Sequence, residues 1–183
     1  MDQQVLKNTF LEMVQDIYHA ENQIIKALPL MIEAASYQDL KLAFTKHLKE
    51  TKNQVTRLEN VFKLLGVEPK EKKCYAIKGL IKEGQEIIEK TDLTPAVKDA
   101  CLIMAAQKIE HYEIATYGSL CSFIRHLSKV VRDQKLKQIF FLLNENLKEE
   151  QHADEALTQV ADGTEAMEGI NEEAEKEILH FCM

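Results

Sequence analysis

Glycine and proline are scarce in this chain, six and three among 183 residues. Runs that alternate β-branched and polar residues are few, so there is little material for strands. Leu, Ile, Ala, Glu and Lys dominate instead, a composition that favours helices, and the fold is read as all-α. No stretch of about eighteen apolar residues occurs, which argues against a membrane-spanning helix. Met1-Asp2-Gln3-Gln4 lacks a basic segment followed by an apolar core, so neither secretion nor membrane insertion is expected, and a cytoplasmic location is. Cys74, Cys101, Cys121 and Cys182 contain no CxxC pair, and reduced thiols are the expectation. An excess of basic residues is missing too. The formal charge is −7 with Lys and Arg interleaved among acids, which argues against nucleic acid as a partner.

What is present suffices for one well-buried core, since 45% of the residues are hydrophobic. A first periodic run extends from about Gln3 to Ala35, with a kink or local break expected near Leu28 because of Pro29. A second runs from about Gln38 to Leu65 and stops at Gly66, a good residue for the position just past a helix end. The tight turn at Ser36 and Tyr37 makes these two antiparallel neighbours. A long connection follows, from Val67 to Thr94, with a short amphipathic helix expected over Ala76 to Glu89. Thr94-Pro95 then starts a helix reaching roughly Leu127, and Asp133 starts another ending near Ala161. Two helical hairpins joined by one long crossover form a ferritin-like four-helix bundle over residues 1–162. Residues 163–183 form an acidic extension, expected to be helical, in which Met167, Ile170, Ala174, Ile178 and Phe181 recur at near-helical spacing. It either docks as a fifth helix, packs on a second subunit or frays as a solvated tail.

The chemistry lies in glutamates that interrupt apolar stripes. In the first helix the stripe reads Phe10-Val14-Ile17-Glu21-Ile24-Leu28. In the third long helix Ile103-Ala106-Glu110-Glu113-Tyr117-Leu120 puts two glutamates on one inward face. On the second, His47, Glu50 and Gln54 share a face bordering the stripe Leu40-Phe44-Leu48-Thr51-Val55-Leu58-Phe62. On the fourth, Ile139-Leu143-Asn146-Glu150-Ala153-Leu157 puts Glu150 in the seam, while Glu149 and His152 form a Glu-x-x-His pair beside it. Either Glu149 or Glu150 is the inward residue. One buried carboxylate could be accidental, but several at one depth repel each other unless cations lie between them. The candidate metal ligands are therefore Glu21, Glu50, Glu110, Glu113, Glu149, Glu150 and His152, with Glu113 or Glu110 bridging. His47, Gln54, Asp154, Tyr18 and Tyr117 are further or supporting candidates, the tyrosines being more at home as core filling than as supports for the ligands. A weak internal echo, Ile17-Tyr18-His19-Ala20-Glu21 against Ile109-Glu110-His111-Tyr112-Glu113, maps Glu21 onto Glu113, and a second, Leu48-Lys49-Glu50 against Leu147-Lys148-Glu149, maps Glu50 onto Glu149 and sets Asn53 opposite His152. His19 and His111 are read as surface or boundary residues.

Several of these segments resemble the bacterial YciE/YciF stress-protein family. They are Asp16-x-Tyr18-x-Ala20-Glu21, His47-Leu48-x-Glu50-Thr51-x-x-Gln54, Gly79-Leu80-Ile81-x-Glu83 and, most specifically, Ala105 through Ala115 followed by Tyr117-Gly118. The resemblance covers about residues 5 to 160. It implies a ferritin-like, rubrerythrin-related fold, a homodimer and a dimetal site, with Glu21, Glu50, Glu110, Glu113, Glu149 and Glu150 matching family acids. Gln54 and Asp154 match as polar neighbours, whereas His152 departs from the family pattern towards rubrerythrin. The functional expectation is a pair of iron ions, with manganese the other candidate, that oxidises iron or reduces peroxide or dioxygen. Without CxxC pairs for an iron-sulfur centre, an external electron donor is expected. The alternative expectation is a non-enzymatic stress-response dimer that binds a partner.

Overall fold

The computed structural model describes residues 3–131, 133–164 and 167–181; Cys182 lies outside them, and so does the side chain of Phe181. Helix α1 (Gln3–Ala34) buries Phe10, Val14, Ile17, Glu21, Ile24, Leu28 and Met31 at steps of three and four. The break expected near Leu28 is absent. Pro29 removes the bond to the Ile25 carbonyl, but burial of Leu28 and Met31 on either side of the ring holds the helix through it. Helix α2 (Gln38–Leu65) ends at Gly66, whose φ of 75° is the left-handed conformation that glycine adopts at no steric cost.

The turn between α1 and α2 is held from a distance. Asp99, only 1% exposed, accepts the backbone N–H of Ser36 at 2.9 Å and of Tyr37 at 2.6 Å, and so satisfies donors at the start of α2. Replacing it with Ala leaves both N–H groups without that acceptor. Asp99→Ala is expected to cost about 1.5–3 kcal/mol in denaturant unfolding, the range for charge-assisted bonds. An unchanged midpoint would show that water replaces the carboxylate.

After α2 the chain crosses back along the bundle through α3 (Tyr75–Glu89), which lies over α1 and the following helix α4 (Pro95–Val130). The crossover is tied to α1 by Lys72, whose N–H donates to the Gln15 carbonyl at 3.1 Å and whose Nζ donates to Glu12 at 2.7 Å. Asp133 caps α5 (Gln134–Asp162) by accepting from the Lys135 N–H at 2.9 Å.

Contacts between side chains fix the directions. Helices α4 and α5 meet at Gln107 with Asp154, Tyr117 with Asn146, and Arg125 over Phe140, so they are antiparallel. The pairs Phe10 with Phe123, Glu21 with Tyr117 and Ser36 with Asp99 make α1 and α4 antiparallel as well. Gln54 with Glu150 and Arg57 with Asn146 do the same for α2 and α5. This is the ferritin-like arrangement of two hairpins and a long crossover.

Beyond α5, the two-residue strands β1 (Gly163–Thr164) and β2 (Met167–Glu168) pair antiparallel and lead into α6 (Ile170–Phe181). A Cβ on Gly169 would overlap the backbone of Asp162 and Gly163, so this reversal requires glycine. Helix α6 packs on α4 and α5 through Ile170 and Ala174, whereas Met167 and Ile178 are exposed. Its inward residue one turn on is Glu177. That carboxylate accepts the Thr94 hydroxyl and, at 3.3 Å, the Ala96 N–H, and so caps α4 from another helix.

Candidate metal centre

Each central helix delivers acid or imidazole to one level of the core. On α1 the stripe places Glu21 inward, fully buried between Ile17 and Ile24. On α4 the steps Ala106, Glu110, Glu113, Tyr117 bury both glutamates. On α2 the buried row is Leu40, Phe44, His47, Thr51, Gln54, Leu58, which turns His47 and Gln54 into the core and leaves Leu48 and Val55 half-buried. On α5 the row is Leu143, Asn146, Glu150, Ala153, Leu157, and Glu150 is the inward acid.

Ligand atoms of His47, Glu110, Glu113 and Glu150 all lie within 4.8 Å of one another. His47 Nε2 is 3.3 Å from Glu110 Oε1 and 3.9 Å from Glu150 Oε2. Neutral donors hold one oxygen on each of two acids. The Tyr117 hydroxyl donates to Glu21 Oε1, and the Gln54 amide donates to Glu150 Oε1. The other oxygens, Glu21 Oε2 and Glu150 Oε2, are buried with no hydrogen-bond partner, as are both oxygens of Glu113, Glu110 Oε2 and both ring nitrogens of His47. Burial above all holds Glu21, Glu113 and Glu150 well above the usual carboxylate range, and mutual repulsion adds to it. For Glu150 the charge of His47 works the other way. Burial pushes Glu110 up to about 8. Tyr117 is likewise raised, by its own burial first and then by the charge of Glu21.

The remaining sequence candidates fall outside this cluster. Glu149 is held by both Nη atoms of Arg57, at 2.6 and 2.7 Å. His152 is exposed, its Nδ1 on the Lys148 carbonyl at 2.7 Å. With Glu150 inward, a residue two positions on is turned about 200° around the helix, so the Glu149/His152 pair faces away from the cluster. Glu50 lies at the rim, 3.5 Å from Lys46. Asp154 accepts from Gln107 at 3.1 Å and lies 3.4 Å from His111. Tyr18 donates to Glu59 at 3.3 Å, away from the acids. His47, first read as a boundary residue, is the imidazole brought into the cluster.

One wall of the site is a chain of hydrogen bonds. Arg57 donates to Asn146 Oδ1 at 3.0 Å, and Asn146 Nδ2 donates to the Tyr117 hydroxyl at 2.9 Å, which donates in turn to Glu21. On another side lies a small cavity of about 20 Å³, lined by Ala43, Lys46, His47, Glu50, Glu110 and Ala153 among others. That is room for about one water molecule.

A ferritin-like bundle with a carboxylate-rich cluster able to hold a metal ion is thus the class that the fold and the site define. The chain belongs to the family described as "Domain of unknown function (DUF892)", whose model matches residues 5–175. Protein YciF of Escherichia coli (strain K12) is 37% identical over 176 residues, 96% of this chain and 98% of that one. The crystal structure of the E. coli stress protein YciF matches with a TM-score of 0.77 and 39% identity, covering 84% of this chain and 92% of that one. The structure of YcfI from Rhodopseudomonas palustris matches with a TM-score of 0.78 and 43% identity, covering 85% and 94%. The resemblance carried by Ala105 through Ala115 therefore extends over the whole bundle. Among the described residues, no helix is long and apolar enough to cross a membrane.

Proposed function

We propose that this protein binds a pair of divalent iron or manganese ions among Glu21, Glu110, Glu113, Glu150 and His47, and acts on peroxide or dioxygen as a stress-response protein. One observation carries the reading: three buried carboxyls and the His47 imidazole offer ligand atoms within 4.8 Å of one another, Glu21 is buried with them in the core, and neither oxygen of Glu113 is held by a neutral donor. Such groups cost several kcal/mol each to bury as ions unless compensated. Two divalent cations would balance four carboxylates, and an oxygen-rich donor set with one imidazole suits iron or manganese better than zinc.

The free oxygens suggest the roles. Glu113, neither of whose oxygens is held by a neutral donor, would be the residue available to both ions. Glu21 and Glu150 have one oxygen each to offer, because Tyr117 and Gln54 occupy the others and fix the carboxylate planes. His47 offers a ring nitrogen beside Glu110 and Glu150. When bound, such ions supply the electrons for reducing a small oxygen species. The surrounding apolar rows of α1 and α4 exclude bulk water. Turnover would draw electrons from an external donor, and a homodimer belongs to the same proposal; size-exclusion chromatography checks the latter.

Plasma mass spectrometry on protein expressed with iron and manganese is the test. About two ions per chain are expected, as in other paired-metal sites, and Glu113→Ala should lose them. The ferrous-loaded protein should consume peroxide faster than the Glu113→Ala variant. Metal-free wild type, still folded after such expression, would overturn the reading.

A further inference from the structure

The walls of the candidate metal centre differ in a way that says how it is reached. Towards Arg57 the path outward is filled by polar groups that hold one another: Tyr117 and Asn146, both fully buried, then Arg57 clamped on Glu149. Opening that side would break a bidentate ion pair and three further hydrogen bonds. Between α2, α4 and α5 no such polar chain closes the way, and three alanines stand in the wall beside the larger Phe44 and Leu157. Ala43, Ala153 and Ala156 line the cavity that reaches His47 and Glu110, and Lys46 and Glu50 stand at its mouth.

Resting on the metal reading above, we propose that cations and small oxygen species enter through this alanine-walled cleft, and that Glu50 receives incoming cations at its mouth. Glu50 lies three residues past His47 on the same face of α2, one helical turn from a buried cluster donor. Its side chain is 22% exposed, so it meets solvent as well as the cavity. It pairs there with Lys46, itself 63% exposed, in an i,i+4 contact at 3.5 Å. Exposed pairs of this kind are weak and open readily. Glu50 can therefore leave Lys46 and take a cation, while the alanines give way more easily than large interlocked side chains would. The same cavity, with room for about one water, admits peroxide or dioxygen and turns away bulky organic peroxides.

The test follows uptake of Co²⁺ by the metal-free protein, using the absorbance of the bound ion in stopped flow and its final content by mass spectrometry. Filling the cleft with Ala43→Leu plus Ala156→Leu, both at half-buried positions, should slow uptake by roughly an order of magnitude, since a filled site must deform to open. Glu50→Gln should slow it as well. In both, final Co²⁺ content should equal that of wild type. Lys46→Glu should speed uptake several-fold at low salt, and the gain should shrink towards 0.5 M salt as screening grows. Ala27→Leu, in the separate groove between α1, α3 and α4, should leave the rate unchanged.

Wild-type rates in the filled-cleft and Lys46→Glu proteins would overturn the route. So would a lower final content in Glu50→Gln, which would make Glu50 a permanent ligand. Should the doubly filled protein fail to fold, the exposed Lys46→Glu change decides alone. Wild type that takes up no Co²⁺ would remove the metal reading itself, and the route with it.

Discussion

Glu113→Leu should bind no metal pair and yet, stripped of metal, should be more stable at pH 8 than metal-free wild type. Both halves follow from one fact: Glu113 is fully buried among other acids, and no neutral donor holds either of its oxygens. Without an ion, the fold either carries that charge out of water or takes up a proton to avoid it, and both cost free energy. Leucine has a similar volume and no such cost. Replacing buried ionic groups with well-packed apolar ones is neutral or stabilising by about 1–4 kcal/mol in favourable cases. Relief of repulsion on Glu21, Glu110 and Glu150 should place this substitution within that range. Thermal unfolding of both metal-free proteins, beside their metal contents, checks it. If Glu113→Leu melted well below metal-free wild type, Glu113 would be making a structural contact instead, and its free oxygens would not mark a ligand.

The bundle could be read from the sequence because its boundaries are set by local chemistry. Gly66 ends α2, Thr94-Pro95 begins α4 and Asp133 caps α5 where the residue types say they should. Glutamates interrupting apolar stripes likewise located Glu21, Glu110 and Glu113, because those rows continue unambiguously on both sides.

What could not be read was rotation. One residue turns a helix face by about 100°, and on α2 and α5 polar residues occupy adjacent positions, so the apolar pattern alone cannot choose among them. The structure turns His47 and Gln54 into the core and leaves Glu50 at the rim. It likewise chooses Glu150 over Glu149, because Arg57 on the neighbouring helix captures Glu149 in a bidentate pair. That partner lies 92 positions away in the sequence, out of reach of any local pattern. His152 followed Glu149 outward, being on its face. The row Phe44, His47, Thr51, Gln54, Leu58 does keep steps of three and four, and that regularity was the available signal for His47. The cap that Glu177 places on α4 had no such signal, since it depends on how α6 docks.

The second large effect is on pH dependence, and it reverses between the metal-free and loaded forms. In the metal-free fold, burial pushes Glu110 up to about 8, against about 4.3 for an exposed glutamate, and Glu21, Glu113 and Glu150 shift the same way. A carboxyl whose pKa is higher folded than unfolded binds more protons in the native state through the interval between the two values. Its contribution is therefore fully present below the unfolded value and is lost as pH rises through the folded one. Metal-free protein should be most stable near pH 5 and should lose on the order of a few kcal/mol on the way to pH 8. Loading opposes this, because the same carboxyls must shed their protons to become ligands, so metal affinity rises over the range where the empty fold weakens. The melting temperatures of the two forms should separate progressively between pH 5.5 and pH 8.5. Loading at pH 7 should release protons into a weakly buffered solution, countable with an indicator dye. In Glu113→Leu the metal-free curve should be flatter, since one titrating group is gone and the repulsion on its neighbours is reduced. A metal-free melting temperature that stays level or climbs from pH 5.5 to pH 8.5 would mean that the four carboxyls are already compensated within the protein, and would remove the electrostatic ground for placing cations among them.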